Sequence, residues 1–193
     1  AVFGGTDVIG YYDFVMKKQR AKFDLDAYQK SKNGKRIINW IMPEMGVCSG
    51  GHINIFRFVM MLQKAGFQNK IYILKPINLH SDEECRAFLK KNYVLDIDEV
   101  EVHVDISQMG FAHATVATAW DTAYILRDFD NTISKFYFVQ DFEPLFFPAG
   151  SSYAFAENTY KFGFRGLTAG DWLKNKLHDE YGMQTESFLF SYD

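Results

Sequence analysis

The sequence predicts an α/β fold, a doubly wound, mostly parallel sheet with helices on both faces. Three observations carry that expectation. Short apolar runs recur along the chain, each closed by a turn signal and followed by a stretch with helical spacing. Most of the runs are continuous rather than alternating, as strands buried on both faces are. Glycine or proline stands at several of the junctions where a helix would stop or a strand would end.

Residues 1–35 are expected to form an N-terminal extension or linker, and residues 36–193 one domain. The extension has an early Gly4-Gly5, a polar and mostly helical stretch from about Tyr11 to Gln29, and a closing Ser31-Lys32-Asn33-Gly34-Lys35 that reads as a turn. Ile37 to Met42, bounded by Pro43, predicts the first buried strand. His52 to Ala65 places Ile53, Phe56, Val59, Met60 and Gln63 near helical spacing, and Gly66 stands where that helix would end. Lys70 to Leu74 is the next strand. Ser81 opens a helix to about Lys91, with Glu84 completing a capping box.

Val100 to Asp105 alternates as a strand, Ala114 to Ala119 is a further apolar run, and Trp120 to Phe129 predicts a helix. Lys135 to Val139 is the most strand-like segment and ends in Gln140-Asp141-Phe142-Glu143-Pro144. Tyr153 to Phe162 predicts a helix ended by Gly163, Arg165 to Thr168 a short strand, and Asp171 caps a helix through about Tyr181, with Gly182 after it. This alternation of strand and helix is the Rossmann-like rhythm.

At 193 residues and 48% apolar content the chain has material for a sizeable core. Its 21 basic and 24 acidic residues give a net charge of -3, so there is no electrostatic case for a nucleic-acid partner. The apolar stretches are broken within roughly ten residues, short of a membrane-spanning helix, which predicts a soluble domain. Cys48 and Cys85, without paired spacing, predict free thiols in a reducing compartment. The start at Ala1, with no signal-peptide pattern, predicts a piece of something longer. A dozen aromatic residues fall between Phe129 and Phe164, and they fit either a densely packed core or the wall of a sugar-binding cleft.

In an open parallel sheet, ligands bind beyond the carboxyl ends of the strands, where connections part and helix N-termini converge. Four segments qualify: residues 43–52, 75–80, 120–122 and 140–153. In the first, Gly50 and Gly51 precede a helix, so backbone N–H groups can approach an anion and a phosphate is the natural guest, with His52 beside them. Neither the P-loop nor the dinucleotide fingerprint is present. In the last, Asp141 and Glu143 could orient a hydroxyl, act as a base or hold a divalent metal. Asp121 is a candidate ligand or simply a helix cap. The five histidines lack i, i+3 or i, i+4 pairs, so no metal site is expected.

Taken together, Ile38-Asn39-Trp40-Ile41-Met42-Pro43, Ser49-Gly50-Gly51-His52, residues 117–124, Phe138-Val139-Gln140-Asp141-Phe142-Glu143-Pro144 and Ala156-Glu157-Asn158-Thr159-Tyr160 resemble the N-terminal lobe of GT-B glycosyltransferases. The likeness is to the rhamnosyltransferases of bacterial rhamnan synthesis within retaining family 4, and it spans about Arg36 to Asp193. The resemblance implies a two-lobed, retaining enzyme of the cytoplasm, with peripheral association at the inner face of the cell membrane. Such an enzyme needs no metal or other cofactor. A nucleotide-sugar donor, a dTDP-rhamnose, is its co-substrate, and a growing glycan is the acceptor. By position, Gly50, Gly51 and His52 fall at the donor phosphates, Asp141 and Glu143 at the reacting hydroxyl, and Trp120, Asp121 and Tyr153 along the acceptor path. The second, C-terminal lobe is missing, residues after Gly182 would approach the hinge, and the piece alone is expected to be inactive.

Two alternatives remain open on sequence. A metal-dependent GT-A transferase would use an acidic pair such as Asp141 and Glu143, or one of Asp24-Leu25-Asp26, Asp96-Ile97-Asp98 and Asp128-Phe129-Asp130. A non-catalytic glycan-binding α/β module would use the aromatic cluster.

Overall fold

The computed structural model describes residues 12–18, 21–47, 49–93 and 98–189. Gly4-Gly5, Tyr11, Cys48 and Asp96 lie outside them. The strands are β1 (Ile37–Pro43), β2 (Gln68–Leu74), β3 (Glu101–His103), β4 (Ala112–Ala117), β5 (Thr132–Val139), β6 (Arg165–Ala169) and β7 (Gln184–Phe188). Among the described residues the helices are α1 (Leu25–Ser31), α2 (Gly50–Lys64), α3 (Asp82–Tyr93), α4 (Trp120–Arg127), α5 (Ser151–Asn158) and α6 (Asp171–Tyr181). The strands form one sheet in the order β3-β2-β1-β4-β5-β6-β7, and every pairing is parallel. This is a Rossmann-like α/β fold.

The central strand explains the unbroken apolar signal. β1 pairs with β2 on one side and β4 on the other, and its residues 38–42 are all buried. Alternate side chains serve opposite layers. Trp40 and Met42 join one core with Phe56 and Val59 of α2 and Cys85 and Leu89 of α3. Ile41 joins the other with Ala123 and Leu126 of α4 and Leu173 and Leu177 of α6. The Trp40 indole N–H donates to Asn69 Oδ1 at 3.0 Å, so the largest side chain of β1 is buried without an orphaned donor. Half of the Phe129–Phe164 aromatics are core: Phe129, Tyr137, Phe138, Phe142, Tyr160 and Phe164 are buried.

Several local differences have physical causes. The helix expected over Tyr11–Gln29 is, in the described part, a 3-10 turn at Asp13–Val15 and then α1, capped by Asp24, whose side chain accepts the Ala27 N–H. Described residues on either side tie this part to the domain: Phe14, in the turn, packs its ring 5.3 Å from Trp120 and 5.4 Å from Tyr124, and Ala21 bridges to Phe129. The strand expected over Val100–Asp105 shrinks to three residues at the sheet edge. The helix expected over Tyr153–Phe162 is α5, followed by a 3-10 turn at Thr159–Lys161. Asp171 is the first residue of α6 rather than its cap, and its carboxylate accepts the Ser187 hydroxyl.

Past Gly182, where a hinge approach was expected, the chain forms β7. Gln184 and Glu186 are exposed, so this edge strand carries no apolar run for a sequence to reveal. Gly182 itself is in the left-handed region (φ 67°) and donates its N–H to His178 O at 2.9 Å, ending α6 as its position predicts.

β6 and β7 meet closely at Gly166. A Cβ there would stand 2.8 Å from Thr185 Cγ2 and 3.2 Å from Met183 Sδ. Gly166→Ala should therefore destabilise the protein by about 1–3 kcal/mol through overpacking, measured as a lower urea midpoint. An unchanged midpoint would mean the strands separate without cost.

Candidate active site

The topology fixes where a site can form. β1 feeds α2 on one face of the sheet, while its neighbour β4 feeds α4 on the other, so the connections part between them. An open cleft of about 590 Å³ lies there, within the size range of small-molecule sites. Ser49, Gly50, Gly51 and Asn54 line it from α2, Thr118 and Ala119 from the end of β4, and Gln140, Asp141, Glu143 and Phe146 from beyond β5. A larger opening near residues 33–36 and 65–67 sits at the other end of the strands, before β1 and β2, where helices end rather than begin.

Two helix N-termini meet the cleft, and they are treated differently. Ser49, the N-cap of α2, makes no side-chain hydrogen bond to the helix backbone; its hydroxyl is engaged with His52 Nδ1 at 2.9 Å. The start of α2 is thus open to an outside acceptor, and a Cβ at Gly50 would meet nothing within 4 Å. At the start of α4 the protein supplies its own anion. Glu143 Oε2 accepts the Trp120 N–H at 2.9 Å, and Thr122 Oγ1 accepts the Ala119 N–H at 3.0 Å. Asp121, the residue a sequence would choose as the cap, instead accepts the adjacent Thr122 N–H.

Glu143 is the most perturbed acid of the cleft. Its Oε1 accepts the Tyr137 hydroxyl at 3.0 Å, and its own N–H donates to the Tyr160 hydroxyl at 3.2 Å. Only 8% of the residue is exposed. Burial pushes its carboxyl up to about 7, against the pull of the Trp120 and Tyr137 donors, and the nearby Asp121 and Asp141 add to the rise. Burial also raises Asp121, with Lys75 opposing. Asp141 is exposed, and its carboxylate accepts the Phe142 N–H at 2.7 Å. Across the cleft, Gln140 clamps β5 to α2: its Nε2 donates to Gly51 O at 3.0 Å and its Oε1 accepts from Asn54 Nδ2 at 3.1 Å.

Of the residues singled out by sequence, Gly50, Gly51, Asp141 and Glu143 come together in this cleft, and four do not line it. His52 donates from Nε2 to Pro43 O at 3.2 Å and accepts the Ser49 hydroxyl at Nδ1, and burial lowers its pKa, so it is a neutral brace of the β1–α2 loop. The Trp120 indole packs 5.6 Å from Phe147 and 5.3 Å from Phe14, outside the cleft, and only its backbone contributes through Glu143. Tyr153 is in the first turn of α5, on the side of Tyr181. Asp121 does not line the cleft, though it is near enough to raise Glu143. Gln140, Asn54 and Tyr137 were not singled out. Gln140 was findable as the first residue after the best strand, but Tyr137 carries no signal that it reaches Glu143. Among the described residues no group of three His, Cys, Asp or Glu gathers as a metal would require.

The fold and this cleft define a Rossmann-like domain with a crevice at its switch point. No family model matches the chain. Over 158 residues, 80% of its length, it is 30% identical to the O-antigen biosynthesis protein RfbC of Myxococcus xanthus. The matched region is about 12% of that relative.

The raised Glu143 pKa fixes a sign for stability. The unfolded chain ionises this group near the ordinary value of 4.5 and the folded chain near 7, so its favourable contribution is full below 4.5 and is lost as pH rises to 7. Relative to wild type, Glu143→Gln should gain about 3 kcal/mol between those two pH values, as read from paired urea titrations. Parallel pH profiles for the two proteins would show that Glu143 titrates normally.

Proposed function

We propose that this domain is the acceptor-side lobe of a glycosyltransferase acting in bacterial surface-polysaccharide biosynthesis. The observation that carries the proposal is the meeting of the open α2 N-terminus and the acids Asp141 and Glu143 in one cleft at the switch point. The similarity to a protein named for O-antigen biosynthesis supports it.

In this reading the Gly50 and Gly51 amides face the diphosphate of a nucleotide-sugar donor, by the charge preference of a helix start. Asp141 or Glu143 accepts a hydrogen bond from the acceptor glycan's hydroxyl and orients it towards the anomeric carbon. The donor is a dTDP-activated rhamnose, transferred with retention, with no metal or other cofactor. His52 holds the glycine turn through Ser49 and Pro43, and Trp120 and Asp121 support the acceptor side through Glu143 and the α4 start.

A second lobe closes over the cleft. Supporting it, six of the eleven large hydrophobics exposed among the described residues (Val47, Ile77, Leu145, Phe146, Trp172 and Leu189) follow the carboxyl ends of strands, the end of the sheet at which the cleft opens, and Phe146 lines the cleft itself. The whole enzyme works at the cytoplasmic face of the membrane. No described helix is long and apolar enough to cross a bilayer.

The proposal is tested in the longer protein that carries this domain. Gly51→Val places a branched side chain against Gln140, whose Nε2 would stand 3.3 Å from the new Cβ, and should cut transfer from nucleotide-sugar donors at least tenfold. Asp141→Ala, at an exposed position, should reduce transfer with folding intact. Unaltered turnover in both variants removes the site assignment, and the absence of transfer from any dTDP-sugar in the wild type removes the reaction.

A further inference from the structure

Glu143 stands out among the acids of the cleft because it is buried, lines the opening and, among the described residues, has no cationic partner. Among the described residues no lysine or arginine pairs with it; its carboxylate is held by a hydroxyl and one backbone amide. The titratable groups around it are Asp141 on its own loop, Asp121 on α4, Tyr137 on β5 and Tyr160 after α5, so its surroundings are acidic or neutral. Lys75, after β2, acts on Asp121. Glu143 shares its cleft with the open start of α2.

We propose that Glu143 couples anion binding in this cleft to proton uptake: a phosphate-like dianion seated at Gly50 and Gly51 is held while Glu143 is protonated and repelled once it is ionised. This rests on the assignment of those amides to the donor phosphates made above. A like charge entering the same cleft disfavours the carboxylate, and because linkage is reciprocal, the carboxylate disfavours the anion by the same factor. The geometry thus makes Glu143 the residue that sets what charge of occupant the cleft accepts. Burial already brings its titration close to neutrality, so the effect falls at physiological pH.

The test uses sulfate, which stays a dianion across neutral pH, with sodium chloride of equal ionic strength as the control. In the 193-residue chain, NMR follows the Glu143 carboxyl carbon together with the Gly50 and Gly51 amides. Sulfate should move both amides and raise the Glu143 midpoint by about one pH unit, which corresponds to about tenfold weaker sulfate binding well above pH 7 than well below it. Glu143→Gln should bind sulfate equally across that range, while Asp141→Asn should keep the dependence. If the amides respond but the wild-type midpoint does not move, or if Glu143→Gln keeps the dependence or Asp141→Asn loses it, the coupling is overturned and the anion assignment stands. If neither sulfate nor a nucleoside diphosphate moves the amides, the anion assignment fails and the coupling with it.

Discussion

Everything functional in this molecule follows from the strands all running one way. In a fully parallel sheet each strand delivers its connection to the same edge, and the helices that follow begin there, with their unsatisfied N–H groups turned towards that edge. Between β1 and β4 the connections leave for opposite faces, so the strand ends lie open between them. The cleft is therefore a consequence of topology before it is a consequence of any side chain. The side chains then decide what it accepts.

Glu143 is the side chain that joins the most parts. It links the loop after β5 to the start of α4 through the Trp120 N–H, to β5 through Tyr137 and to the turn after α5 through Tyr160. A serine or aspartate at the N-cap would satisfy an N–H of the first turn of α4 locally and without burying a charge, though not the Trp120 N–H that Glu143 takes. Capping from 23 residues away instead ties the distance between β4 and β5 to the helix start. It does so with a group whose ionised form is disfavoured by burial, an arrangement that stability alone does not call for.

The fold was legible because its signals are redundant. β1, most of β2 and the last three residues of β4 and β5 are buried on both faces and so are written as apolar runs, and α2 and α6 end at glycines whose positions mark the stop. β7 was illegible for the converse reason: an edge strand with exposed Gln184 and Glu186 is specified by its pairing with β6, a long-range fact. In the site, the segments were legible and the side-chain directions were not. Strand ends predicted that residues 43–52 and 140–153 would meet. Whether the Trp120 ring faced the cleft depended on Phe14, from a segment over 100 residues away, offering it an aromatic pocket on the other side. The fate of His52 likewise turned on the nearby Pro43 carbonyl, which no residue-type pattern encodes.

The charge balance of the cleft bears on how the work of a whole enzyme would be divided. Asp141 and Glu143 line this cleft, Asp121 is near enough to act on Glu143, and against them the lining offers backbone amides, Ser49, Asn54, Thr118 and Gln140 but, among the described residues, no lysine or arginine. Such a lining matches hydroxyl-rich ligands, which need acceptors and tolerate neighbouring carboxylates, better than it matches a diphosphate, which needs its charge offset. A donor phosphate held only by the start of α2 would be bound weakly, so the cations that neutralise it must come from across the cleft. If the proposed transfer reaction holds, this domain would contribute the orienting acids, and the positive charge that offsets a diphosphate would have to come from outside this lining.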